Sequence, residues 1–216
     1  MKTLSNLAFL FLIGVTVLGA ARTASGQATV KRTSEQIKAL YDAHQADFDY
    51  LLGDWQFTTV SKQWGKGQGF WSAVRVAEGP QILDEYRVIS EDGSETYYAS
   101  STLRSYNAIL DQWELVTAER GTGLQNIGTA HRVGDEIHIE QKFGVMSDKP
   151  SILRIRYYNI KSDSFSWAAD RSLDGGKTWE KDNTLIEARR IGPSRTLGQL
   201  APIRKSASVK STNRNQ

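Results

Sequence analysis

Beyond Trp55 the chain runs in short segments of alternating apolar and polar residues, broken by turn residues at intervals of roughly 8 to 12 positions. The segments lie near Asp54–Lys62, Gly69–Ala77, Ile82–Ser90, Glu95–Tyr106, Gln112–Glu119, Leu124–Val133, Glu136–Gly144, Ser151–Asn159, Ser164–Arg171 and Thr178–Ala188. That makes about ten strands, each with one face to bury. Tight turns are expected at Lys66-Gly67-Gln68, Glu91-Asp92-Gly93-Ser94, Gly134-Asp135, Lys161-Ser162-Asp163 and Asp174-Gly175-Gly176, where Gly and Asx residues supply the required backbone conformations. Parallel strands need long crossovers, and no helical pattern separates these segments, so the fold class is all-β and antiparallel. An open meander of this length exposes its edges. Closure into an up-and-down barrel removes them and leaves an interior wide enough for a small ligand.

Before the strands, Ile37, Leu40, Tyr41, His44, Phe48, Leu51 and Leu52 recur at three- and four-residue steps. They predict one N-terminal amphipathic helix over Ser34–Leu52, capped by Thr33 or Ser34, whose apolar face covers an end or side of the barrel. The helical pattern stops at Gly53, and the strand pattern begins at Trp55.

The two ends differ from the middle. Lys2, the apolar run Leu7–Ala21 and the small residues Ala24-Ser25-Gly26 form the pattern of a secretory signal peptide, residues 1–26. The run is shorter than the roughly 20 residues that span a bilayer. Without cysteine the exported chain holds itself together by its core alone, which suits a periplasmic or secreted protein better than a disulfide-built mini-domain. Of the 27 Lys and Arg residues, seven lie from Arg189 onward and Lys2 and Arg22 lie in the leader, which leaves 18 against all 24 Asp and Glu. An acidic domain, 27–190, is thus followed by a basic tail, 191–216, whose composition is that of a disordered segment. Such a tail can touch anionic envelope surfaces. The acidic domain disfavours nucleic acid as a partner.

The segment Phe48–Trp55, Tyr106-Asn107 with Trp113, and the hairpin Ser172–Trp179 together resemble an uncharacterised family of calycin-like (lipocalin-like) exported bacterial proteins. The resemblance runs from Phe48 to Arg190. More distantly, Leu-Leu-Gly-x-Trp at Leu51–Trp55 is similar to the opening of nitrobindin-type haem barrels. The resemblance implies that Trp55, following Gly53, packs across the closed end beneath an arginine of the last strand, Arg189 or Arg190. A haem site would need a barrel-facing histidine, and neither hairpin histidine is so placed, so no cofactor is expected.

Three groupings bear on chemistry. Ser172–Trp179 matches the Asp-box pattern of sialidase-type propellers, but a propeller repeats it and this chain has one copy, so it reads as a structural hairpin. A Gly134-Asp135 turn would set His131 opposite His138 and Thr129 opposite Glu140. His131, His138 and Glu140 could then hold a transition metal, but Glu136 and Lys142 on the same face mark it as solvent-side, so no metal is expected. The third grouping is Arg75, Tyr86, Tyr98, Arg104, Arg154, Arg156, Tyr158 and Trp167. Those that face the lumen would bind an apolar or aromatic molecule carrying an anionic group.

No nucleophile elbow, zinc-protease helix or phosphate loop is present. Sequence-adjacent carboxylates such as Asp84-Glu85 point to opposite faces of a strand and make poor acid/base pairs. The expected function is small-molecule binding in an exported barrel. The alternatives are an acid/base enzyme in the same cup, with Asp170 as base beside Tyr or Arg, and an envelope interaction module acting through the tail.

Overall fold

The computed structural model describes residues 31–76 and 79–194. The expected leader and the tail beyond Ser194 lie outside them. Ten strands are present: β1 (Gly53–Ser61), β2 (Gly65–Val76), β3 (Gln81–Ile89), β4 (Thr96–Asn107), β5 (Gln112–Glu119), β6 (Gly123–Val133), β7 (Glu136–Phe143), β8 (Ser151–Tyr158), β9 (Ser164–Ser172) and β10 (Glu180–Arg190). Every neighbour pairs antiparallel, and β1 joins both β2 and β10, so the sheet closes on itself in chain order. The all-β meander expected from the alternation is the fold.

The inward rows change character along the barrel axis. On β1 they run Trp55, Phe57, Thr59, Ser61; on β5 they run Trp113, Leu115, Thr117. Large rings therefore fill one end, while smaller and hydroxylated side chains leave room toward the other. Trp55, Trp113, Phe48 and Phe165 are almost completely buried at the filled end. Phe48 meets Trp113 edge-on at 5.0 Å, and Trp55 meets Phe165 at 4.8 Å. Such ring pairs add to the large area each aromatic removes from water.

The N-terminal segment differs from expectation. Helix α1 covers Ser34–His44 only, capped by Thr33, whose hydroxyl accepts from Gln36 N–H while the Gln36 side chain accepts from Thr33 N–H. No residue of α1 is buried. The chain then turns because Asp47 is drawn inward: its carboxylate accepts from Arg132 Nε at 2.8 Å and Trp113 Nε1 at 3.4 Å. A short 3₁₀ turn, Asp49–Leu51, follows. Phe48, Leu51 and Leu52 become the plug of the closed end. Their three- and four-residue spacing looked helical, but tertiary bonds to Asp47 override it. His44, on the expected apolar stripe, finds a partner there, with Nδ1 3.0 Å from Asp47 Oδ2.

Arg190 completes the closure. Its guanidinium lies 4.1 Å from the Trp55 ring centroid and donates to the carbonyls of Leu52 at 2.5 Å, Tyr50 at 2.8 Å and Ser162 at 2.6 Å. Of the two arginines implied by the resemblance, Arg190 takes this position, and Arg189 pairs with Gln56 on the outer face. Gly53, at φ 113°, has no room for a side chain: an added Cβ would stand 2.6 Å from Arg190 Nη1 and 2.7 Å from Pro193 O.

One expected turn is corrected. Lys66-Gly67-Gln68 lies within β2, paired with Thr58–Val60, and the chain reverses earlier, at Lys62–Trp64. The glycines serve close packing instead: a Cβ on Gly69 would stand 1.9 Å from Arg87 O.

The Ser172–Trp179 hairpin has the expected structural form. Asp174 accepts from the Lys177 and Thr178 backbone N–H groups at 3.0 and 2.9 Å, from the Ser172 hydroxyl at 2.8 Å and from the Thr178 hydroxyl at 2.7 Å. These donors, the Thr178 N–H first, hold its carboxyl at about 2. Because the folded value is depressed, the carboxylate's contribution is complete above the ordinary carboxylate range and is lost as pH falls through about 2. An NMR acid titration should show the Asp174 side-chain carbon and the Trp179 indole N–H moving together near that value; titration of Asp174 at the ordinary carboxylate pH would contradict it.

Candidate functional site

Above the plug the barrel holds a cavity of about 1060 Å³. It opens at the end where β1 turns into β2, β3 into β4 and β9 into β10. Its walls are mostly apolar or aromatic, with Leu115, Ile139, Ile155, Trp71, Tyr86 and Trp167 among the lining. Phe57 and Tyr86 stack at 4.8 Å, and Trp71 meets Tyr86 edge-on at 5.3 Å. Hydroxyl-bearing residues interrupt this surface at Thr102 and Thr117, whose oxygens share a hydrogen bond at 3.0 Å, and Asn126 carries an Oδ1 with no protein partner.

The floor carries the one ion pair of the described residues in which both side chains are under a tenth exposed. Arg104 Nε donates to Asp84 Oδ2 at 2.6 Å, and Trp71 Nε1 donates to Asp84 Oδ1 at 2.8 Å. Arg104 Nη2 reaches the Tyr157 hydroxyl oxygen at 3.4 Å, and the guanidinium sits 5.0 Å from the Phe48 ring centroid. Burial alone would lower the guanidinium's proton affinity; Asp84 beside it more than compensates, so Arg104 stays charged. Burial pushes the Tyr157 hydroxyl well above the usual phenol range, keeping it protonated and a donor. Arg104 Nη1 has no hydrogen-bond partner in the protein. An orphaned donor in so buried a position is costly unless water or a ligand supplies an acceptor.

The lumen-facing alternation divides the sequence candidates. Tyr86, Tyr98, Arg104 and Trp167 line the cavity. Arg75 lies on the inward row of β2 but at the closed end, bonded to Asp49 and to Gly79 O. Arg154, Arg156 and Tyr158 are on the outer face: Arg154 bonds Glu140 at 3.1 Å and lies over Trp179, and Arg156 lies over Tyr158. Their alternation with Leu153, Ile155 and Tyr157 was clear in the sequence, but which row faced inward was not. Asp84, Trp71 and Tyr157 were missed. The available signal was that one of Asp84 and Glu85 had to face inward, and a buried carboxylate requires a cation.

The other candidates stand apart. His131 and His138 are directly opposed, as expected, on the outer face; His138 Nε2 is 2.7 Å from Glu136, and Glu140 is held by Arg154. Among the described residues no group of three or more His, Asp or Glu side chains could hold a metal ion. Asp170 is on the outer side of β9, where it accepts from Lys181 Nζ at 2.5 Å and Asp182 N–H at 3.0 Å. Burial works to raise its carboxyl, and these donors outweigh it, leaving the value lowered. It does not face the lumen; the carboxylates in the lining are Asp84 at the floor and Glu91 at the mouth.

No family model matches the chain, and no curated protein matches it. Among solved structures, one described as EF1p2_mFAP2b bound to DFHBI is similar over 68% of this chain and 98% of that chain, at 14% identity and a TM-score of 0.33. The closed ten-stranded up-and-down barrel fits a calycin-like fold on its own strand register.

Proposed function

We propose that this protein is an exported barrel that binds a small molecule with an apolar or aromatic body in its cup. The observation that carries the reading is the cavity of about 1060 Å³ itself, mostly apolar and aromatic along its walls, with hydroxyl and amide side chains set among them and the Asp84–Arg104 pair at its base. Export is supported by the Leu7–Ala21 run between Lys2 and the small residues Ala24-Ser25-Gly26. The basic tail supports a second contact, with anionic envelope surfaces.

The expected anionic group fits one end of the cavity better than the other. At the floor, Asp84 already balances Arg104. At an effective dielectric of about 20, a second carboxylate about 5 Å from Asp84 is repelled by about 3 kcal/mol, which offsets most of its attraction to the guanidinium. At the mouth, Lys66 and Arg171 stand against Glu91. A negative group is therefore favoured near the mouth, while the balanced Asp84–Arg104 pair at the floor favours a neutral part of the molecule below.

Incubating the protein with lipid and aromatic-acid extracts, then recording native mass spectra and thermal shifts, tests the reading. One retained small molecule per chain and a raised melting temperature are expected. No retained mass and no shift across the extracts would overturn it.

A further inference from the structure

Loop tips are ordinarily polar, yet the four most exposed large apolar side chains of the described residues all sit at the open end of the barrel: Met146 (78% exposed), Trp64 (72%), Leu173 (71%) and Tyr97 (65%). Trp64 lies in the β1–β2 turn, Met146 in the β7–β8 loop and Leu173 in the β9–β10 loop. Tyr97 stands at the start of β4, where the register with β3 shifts between Val88 and Ile89. Trp64 and Tyr97 also line the cavity, so the apolar rim is continuous with the apolar interior.

We infer that this rim docks the mouth of the barrel onto a lipid bilayer, so that an apolar ligand passes between membrane and cup without crossing water. The inference rests on the ligand-binding reading above. Tryptophan and tyrosine suit the interfacial zone, where an apolar ring and a polar atom are both accommodated, and Met146 and Leu173 supply flexible apolar contact beside them. The turns at this end carry both signs in near balance: Lys62, Arg120, Lys149 and Lys177 stand among Glu91, Asp92, Glu95, Asp148 and Asp174. A rim with both signs fits the zwitterionic headgroups of phosphatidylcholine-type lipid and gives no net preference for an anionic surface. Apolar insertion then provides the binding and the opposed charges leave it nearly salt-independent.

Trp64 is the reporter. Trp55, Trp71 and Trp113 are buried inside the barrel, Trp167 lines the cavity and Trp179 lies half-buried in the β9–β10 loop, so the signal of the exposed Trp64 has to be isolated by difference. The full chain is mixed with vesicles of brominated phosphatidylcholine, and the Trp64 contribution is taken as the difference between wild type and Trp64→Phe. That contribution is expected to lose at least half its intensity, and Met146→Ser/Leu173→Ser is expected to weaken the quenching about tenfold in lipid concentration. Ile191→Ser, at the opposite end, should leave it unchanged. Vesicle association with Trp64 unquenched would mean that another part of the chain meets the bilayer and would overturn the inference, as would the absence of association. Binding of 8-anilinonaphthalene-1-sulfonate without vesicles is read in parallel: if it persists in either negative case the cavity reading survives, and if it is absent while Trp64 is quenched the cavity reading fails instead.

Discussion

Arg104→Met should lower the stability of the barrel by about 3–5 kcal/mol, because it strands the Asp84 carboxylate under the cavity floor with Trp71 as its remaining partner. Asp84→Leu should cost a similar amount by leaving a buried guanidinium with one long bond to Tyr157. The double variant Asp84→Leu/Arg104→Met removes both charges and their desolvation together. It is expected to recover most of the loss, to within about 1–2 kcal/mol of wild type, since a buried pair replaced by apolar side chains of similar size is often close to neutral. Urea unfolding of the four proteins, analysed as a double-mutant cycle, checks this. Single variants as stable as wild type would show that the pair is open to water. A stable double variant that no longer binds ligand would show that the pair is kept for recognition, consistent with the unpartnered Nη1 of Arg104.

Trp55→Ala should be at least as damaging, about 3–5 kcal/mol. The indole is wholly buried, donates to Leu51 O at 2.8 Å, and supports both Phe165 and the Arg190 guanidinium. Its loss leaves a cavity at the closed end and removes the surface on which Arg190 organises three carbonyls. Gly53→Ala acts on the same junction by a different route. It adds strain at φ 113° and pushes Cβ into Arg190 Nη1 and Pro193 O, for a further expected cost of about 2–3 kcal/mol. Thermal unfolding should place both variants well below wild type, whereas Arg189→Ala, on the outer face, should change little. An unperturbed Trp55→Ala melt would contradict the assignment of this tryptophan to barrel closure.

The strands were legible because their period-two pattern and glycine-rich turns are local properties. All ten lie within a few residues of where alternation placed them, and the Gly134-Asp135 turn sets His131 opposite His138 through local geometry alone. Helix α1 was legible at its start, where Thr33 and Gln36 form a cap, and illegible at its end. There Asp47 answers to Trp113 and Arg132, residues 66 and 85 positions away. The site was half legible for a related reason. Tyr86, Tyr98, Arg104 and Trp167 carry chemistry that suits a lumen, but period two cannot say which row is inside, so Arg154, Arg156 and Tyr158 qualify equally well in the sequence. Asp84 is not legible in the sequence because its partner lies on the neighbouring strand, and only the β3–β4 register brings Arg104 within reach.

The central claim is that the cup is a binding site rather than packing left incomplete. Thr117 lies on the cavity wall, on β5, so Thr117→Trp fills the interior, at the cost of the hydrogen bond it shares with Thr102. Titrating 8-anilinonaphthalene-1-sulfonate into wild type should give saturable fluorescence enhancement at one site per chain, and the filled variant, folded by circular dichroism, should lose it at least tenfold. Equal enhancement in the two proteins, or none in wild type, would contradict the account.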